Sequence, residues 1–241
     1  MVVFQEDSTI GKKCNMKVYA EFINDESLIF RTRTLLQFGD SWDLIGSIVM
    51  KNPGSAKPGK GIDNVIAEKL SKYYNEKINS ECWFVSDGDP TMRDILPIFN
   101  GNYVNKNFKL DGVIQIFNLY NICSPNVDFA HKKGNETQSP FLLPDVDAMI
   151  LDFKKKPVYI GFGDFYTNKK SKNIAFLKNS AVKIFEFVKK SAFDYLEDDF
   201  LIDEQYYHKN HFYHPQFLNK PSKREKYLPT LEKFANFYEE N

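Results

Sequence analysis

The run from Val113 to Leu119 constrains the fold more than any other segment. Apart from Gln115 and Asn118 it is wholly apolar. A strand with one wet face alternates apolar and polar residues. A short run that does not alternate reads as a central strand buried on both faces, and that needs helices above and below a sheet. Leu44 to Met50 and Pro157 to Phe162 repeat the pattern. Each ends in turn residues: Asn52-Pro53-Gly54 after the first, Gly161 and Gly163 at the second. Helical spacing falls between such runs. It appears at Val65 to Tyr74, at Met149 to Phe153 as the end of a helix, at Ile174 to Lys190, and at Pro229 to Tyr238. Asp89-Pro90-Thr91 reads as a helix start, with Asp89 as N-cap, Pro90 at the first position, and Ile95, Leu96 and Phe99 behind. Strands alternating with helices predict an α/β fold with a mostly parallel central sheet flanked by helices.

The chain of 241 residues suits a single domain over residues 1–241, with its core at 44–218. Residues 1–40 read as an N-terminal elaboration. Within it, Val18 to Ile23 and Ser27 to Thr34 form a strand pair that turns at Asn24-Asp25. Ser55 to Asp63 reads as a flexible loop and Val127 to Asp145 as a polar connection. No internal repeat is visible.

Lys+Arg 32 offsets Asp+Glu 32, which argues against a protein that coats nucleic acid. The field depends on distribution, so a local basic face stays open. Bases cluster at Lys154 to Lys156, at Lys169, Lys170 and Lys172, and at Lys220, Lys223, Arg224 and Lys226. Acids cluster from Asp194 to Glu204. Each cluster alone reads as a solvated surface. Cys14, Cys82 and Cys123 are widely spaced, which suits reduced thiols inside a cell. The N-terminus has no signal-peptide pattern, and no apolar run approaches the roughly 18 residues of a membrane span. A cytoplasmic monomer without membrane contact is the expectation.

Three residues carry candidate chemistry. The Asn52 amide can hold a water in a loop that Pro53 stiffens, or it caps its own turn. Asn118 is a primary amide inside an apolar strand, where donor and acceptor must find partners. It suits the edge of a pyrimidine, or a structural bond to a nearby loop. His214, stiffened by Pro215, can donate to negative charge on a departing group. His208, His211 and His214 lie close in sequence, but no cysteine or acidic partner completes a zinc set, so no metal is expected. Trp83, Phe84, Phe117 and Phe162 are available for stacking, although such residues mostly belong to cores.

Taken in order, these segments resemble the uracil-DNA glycosylase superfamily. Gly46 through Gly54, ending Asn52-Pro53-Gly54, resembles its first catalytic motif in the asparagine-bearing form. Ile114 to Tyr120 resembles the strand whose asparagine reads the base. Tyr213-His214-Pro215 resembles the late His-Pro motif. Asp89-Pro90-Thr91 adds a likeness to a related family of uncharacterised bacterial and phage proteins. The likeness covers Leu44 to Leu218. Gln216-Phe217-Leu218 departs from the usual Ser-Pro-Leu tail, and no iron–sulfur cysteine pattern is present.

The resemblance implies a monofunctional DNA glycosylase without cofactor that hydrolyses an N-glycosidic bond and leaves an abasic site. Asn52 and His214 would be catalytic. Pro53, Gly54, Ser55, Phe84, Phe117 and Asn118 would bind the base. Lys57, Lys60, Lys169, Lys170, Lys220, Lys223 and Arg224 would grip the DNA backbone. Strict uracil enzymes carry a tyrosine where Gly54 stands. The pocket is therefore expected to be open toward position 5, with Lys57 to Gly61 beside a polar adduct. That pattern is similar to bacterial anti-phage glycosylases that remove glucosylated hydroxymethylcytosine, so DNA of phages with modified bases is the expected partner. A binding module without catalysis, or a hydrolase of free nucleosides or nucleotides, remains open on the same residues.

Overall fold

The computed structural model describes residues 16–163, 171–197, 200 and 212–238. Cys14, Lys169, Lys170, His208, His211 and part of the acidic segment lie outside them. Among the described residues seven strands form one sheet: β1 (Lys17–Asp25), β2 (Leu28–Phe38), β3 (Leu44–Met50), β4 (Lys60–Gly61), β5 (Trp83–Ser86), β6 (Gly112–Asn118) and β7 (Val158–Ile160). Their order across the sheet is β4-β5-β1-β2-β6-β3-β7. The helices are α1 (Asn64–Tyr74), α2 (Pro90–Phe99), α3 (Val127–Gly134), α4 (Val146–Asp152), α5 (Ile174–Lys189), α6 (Pro215–Leu218) and α7 (Pro221–Asn236).

The α/β class holds, but the sheet is mixed. Only β6, β3 and β7 run parallel; β4, β5, β1, β2 and β6 pair antiparallel in turn. The reason lies in the N-terminal hairpin. Its strands are long enough to take central places, so β1 and β2 sit inside the sheet instead of decorating it. The turn falls at Glu26-Ser27, not Asn24-Asp25, because Asp25 still pairs with Leu28. Both turn residues have positive φ, 48° and 63°, the handedness that a tight two-residue hairpin demands.

β6 is buried along its whole length, as its composition requires. One face of the sheet packs Leu36, Phe38, Ile114 and Ile116 against Met92 and Ile95 of α2. The other carries Tyr19, Leu35, Leu70, Trp83 and Val113. Asp89 caps α2 by accepting from the Met92 N–H at 3.0 Å. α3 lies within the stretch read as a connection. Its polar residues hide it from a periodicity reading, but Asn126 caps it through the Phe129 N–H at 3.0 Å. α7 starts at Pro221 and holds Pro229 in its interior, a residue that in sequence looks like a boundary. The loop after β3 is pinned rather than loose. Lys60 and Gly61 pair with Val85 and Phe84, and the Ser86 hydroxyl donates to the Lys57 carbonyl at 3.1 Å. Among the described residues no helix is long and apolar enough to cross a membrane.

Candidate functional site

Parallel pairing aligns the ends of three strands, with Met50 beside Asn118 and Val49 beside Ile160. The loops that leave those ends must diverge, and a cleft opens where they do. Its volume is about 500 Å³, ample for a nucleoside-sized ligand. Asn52, Gly54 and Ser55 enter it from the loop after β3, Asn118 from the end of β6, Phe162 from the end of β7, and His214 from the segment before α6. Residues far apart in sequence therefore share one cavity.

Asn52 is oriented by its neighbours. Its Nδ2 donates to the Pro53 carbonyl at 2.7 Å and to the Ser124 carbonyl at 2.9 Å. Both partners are acceptors, which fixes the amide with Nδ2 toward them and leaves Oδ1 as an acceptor without a hydrogen bond among the described residues. Pro53 is buried and does not line the cleft; it shapes the loop, and its carbonyl also accepts from the Ser124 N–H at 3.3 Å.

His214 caps α6. Its Nδ1 accepts from the Gln216 N–H at 3.3 Å, so the proton of the neutral ring sits on Nε2. Burial, then Lys51, push the imidazole down to about 4, against the pull of Asp89. The ring is a neutral N–H donor at ordinary pH. Phe217, one turn on, is 49% exposed at the rim, with its ring centroid 6.0 Å from that of His214.

Asn118 is buried, and its Oδ1 has no hydrogen-bond partner among the described residues. A primary amide left unpaired at a cavity wall is ready to pair with a ligand edge. Arg31 and Asp89 are among the wall residues that went unrecognised as site residues in sequence. Arg31 of β2 is buried, its Nε and Nη1 without a hydrogen bond among the described residues, and Asp89 stands beside it, Oδ2 at 3.9 Å from Nη1. In sequence Asp89 reads as a cap and as part of the Asp89-Pro90-Thr91 likeness, without a role in the site. Arg31 sat in a strand assigned to the periphery. Cys123 adjoins this pair, and burial pushes its thiol up to about 11, so it stays protonated.

Several expected roles do not fit. Phe117 packs edge-on against Phe153 at 5.2 Å between centroids, because successive strand residues face opposite sides and Asn118 takes the cleft side. Phe84 sits on β5, away from the cleft, against Phe22 at 6.0 Å. Phe162 is the predicted aromatic that does reach the wall. The opening expected at Gly54 is filled, since a Cβ there would lie 2.5 Å from Asp89 Oδ2. Lys57 and Lys60 are exposed but do not line the cleft. Lys220 and Lys223 are exposed at the start of α7. Arg224 is engaged by the Tyr103 ring, 5.3 Å from its centroid, and by the Leu218 carbonyl at 3.4 Å. Among the described residues no cluster of three or more His, Cys, Asp or Glu could hold a metal ion.

Comparisons with family models, with curated proteins and with solved structures give no match to this chain.

Proposed function

We propose that this protein is a monofunctional DNA glycosylase of the uracil-DNA glycosylase type, acting on a modified pyrimidine. One observation carries the reading: Asn52, Asn118 and His214, from distant segments, line a single cleft at the ends of parallel strands.

The chemistry follows from what each group can offer. The target nucleotide leaves the base stack and enters the cleft. The unpaired Asn118 amide pairs with the base edge, and Phe162 supplies an apolar wall. When the bond between sugar C1′ and base nitrogen breaks, its electron pair leaves with the base. Negative charge grows on the base and positive charge on the sugar. The neutral His214 Nε2–H donates to the growing negative charge, worth about a hundredfold or more in rate when such a donor is preorganised. Asn52 Oδ1 accepts from a water and holds it for attack at C1′. The water oxygen bonds to C1′ and the water loses one proton, while the departing base takes one up, so protons balance. Exposed Phe217 fills the gap that an extruded nucleotide leaves. Lys220 and Lys223, just beyond α6, take phosphates and give binding a steep salt dependence.

The resemblance in sequence extends the proposal to phage DNA carrying glucosylated hydroxymethylcytosine. The test is incubation with DNA bearing uracil, hydroxymethylcytosine or its glucosylated form, then alkali to cut at abasic sites and mass spectrometry of the released base. Strand cuts on none of them would refute the catalytic reading. Equal action on free nucleosides would instead identify a nucleoside hydrolase.

A further inference from the structure

Arg31 has no part in that chemistry, yet it is built into the same cavity. It is 2% exposed, and its guanidinium makes no hydrogen bond among the described residues. Folded proteins seldom bury an unsatisfied cation without a use for it. A β-bulge aims it there. β1 and β2 slip register between Glu21, which faces Arg33, and Phe22, which faces Arg31, so Thr32 is the extra residue. Such bulges re-aim side chains beside functional sites.

Asp89 is the matching half. Its Oδ1 is held by the Met92 N–H, while Oδ2 lies over Gly54 and 3.9 Å from Arg31 Nη1, too far for a hydrogen bond. The pair thus presents an unfilled donor beside an unfilled acceptor, with charges that cancel. An anionic group would gain from Arg31 and be repelled by Asp89; a cation would meet the reverse. A hydroxyl does both jobs, accepting from Arg31 and donating to Asp89. Nη1 has almost no accessible surface in the empty cleft, so the wall must yield for a ligand; one oxygen at about 2.8 Å from each then closes a triangle on the 3.9 Å base.

We propose that Arg31 and Asp89 form a specificity subsite for a neutral, hydroxyl-bearing substituent on the base, a hydroxymethyl group or a sugar carried on one. The subsite rests on the glycosylase reading for its substrate. It is testable apart from that reading, because it predicts binding as well as base release.

The experiment uses the full chain and five deoxycytidines: unmodified, 5-methyl, 5-hydroxymethyl, glucosylated 5-hydroxymethyl and 5-carboxyl. Calorimetry measures binding of the nucleosides, and mass spectrometry measures base release from DNA carrying the same bases. The wild-type chain is expected to favour one of the hydroxyl-bearing forms over 5-methyl by about tenfold or more, as one charge-assisted hydrogen bond dictates, and to gain nothing from 5-carboxyl. Which of the two it favours more separates a bare hydroxymethyl from a sugar. Arg31→Met keeps the side-chain stem and should erase that preference. Asp89→Asn keeps the helix cap, because its amide oxygen still accepts from Met92, and leaves Arg31 unneutralised. That variant should shift preference toward 5-carboxyl. Equal affinities in the wild-type chain, a preference that survives Arg31→Met, or no binding and no release of the hydroxyl-bearing forms each overturns the subsite. Selective binding without release from any DNA supports the subsite and refutes the glycosylase reading. Release without discrimination does the reverse.

Discussion

Gly54→Ala tests the placement of Asp89 over the loop after β3. A Cβ built on Gly54 lies 2.5 Å from Asp89 Oδ2 and 3.3 Å from its Cγ. Nonbonded heavy atoms settle near 3.5 Å, so the carboxylate must retreat by about 1 Å. It is not free to do so cheaply, since Oδ1 caps α2 through the Met92 N–H. Breaking a cap costs about 1 kcal/mol. Keeping it with Asp89 off its rotamer costs about 0.5 to 1.5 kcal/mol. Gly54 is not among the residues with positive φ, so alanine meets no backbone strain there. Alanine also restricts the unfolded chain, worth about 0.4 to 1 kcal/mol in its favour. The two nearly offset, so the net expectation is a loss of only about 0.3 kcal/mol and at most about 1, read as a slightly lower urea midpoint at unchanged slope. In an Asp89→Ala background the obstacle is gone, and the same change should be neutral or stabilising. The cost of Asp89→Ala itself and the unfolded-state gain both cancel in the cycle, leaving a coupling of about 0.5 to 1.5 kcal/mol. If Gly54→Ala shifts stability equally in both backgrounds, Asp89 does not lie where this argument needs it.

Asn52→Ala and His214→Ala should each slow base release by about a hundredfold or more in single-turnover assays, with Asn52→Ala leaving DNA affinity nearly unchanged. Phe217→Ala should weaken release from duplex DNA while sparing single strands, where no stack must be opened; equal loss on both refutes a role in extrusion. His214 sits near 4 in the folded chain, below its ordinary 6.5, so the unfolded chain takes up its proton first as pH falls. Stability from this residue is full above its ordinary value and is lost as pH drops toward about 4; urea midpoints at pH 7 and pH 5 should diverge less in His214→Asn than in the wild-type chain. Ser27→Gly should stabilise the chain slightly, by roughly 0.5 kcal/mol, read as a higher melting midpoint, because Ser27 holds a φ of 63° that glycine adopts without strain.

What the sequence revealed follows from where its signals are local. The β6 run needed only its own composition to declare itself central. Asp89-Pro90 announced the start of α2 because capping is decided within one turn. Strand pairing is not local. Nothing in Lys17 to Phe38 says that the hairpin will dock antiparallel on β6 and make the sheet mixed. Arg31 was hidden twice over: by that docking, and by the extra residue at Thr32. Counting back by twos from Thr34, which pairs with Ile116, points Thr32 and Phe30 to the cleft face and Arg31 away. The bulge reverses that parity. Phe117 failed for the converse reason, since the same alternation that turns Asn118 inward turns its neighbour out.

The mixed sheet also explains how the cleft acquires groups that a wholly parallel one would lack. Parallel β3, β6 and β7 deliver only residues at their carboxyl ends: Asn52, Asn118 and Phe162. β2 runs the other way beside β6, so its amino-terminal end lies at the same edge, and Arg31 reaches the cleft from the strand's start. Asp89 arrives from a third direction, at the amino end of α2. The strand ends thus contribute the amides of Asn52 and Asn118, while β2 and α2 contribute a paired cation and carboxylate. Had β2 been parallel to β6, Arg31 would lie at the opposite end of the sheet, and Asp89 would lose its nearest cation, leaving Lys51 of the loop after β3 as the other basic residue on the wall. Antiparallel docking of the hairpin is therefore what sets Arg31 beside Asp89, and the sheet's direction is tied to the chemistry of this cleft.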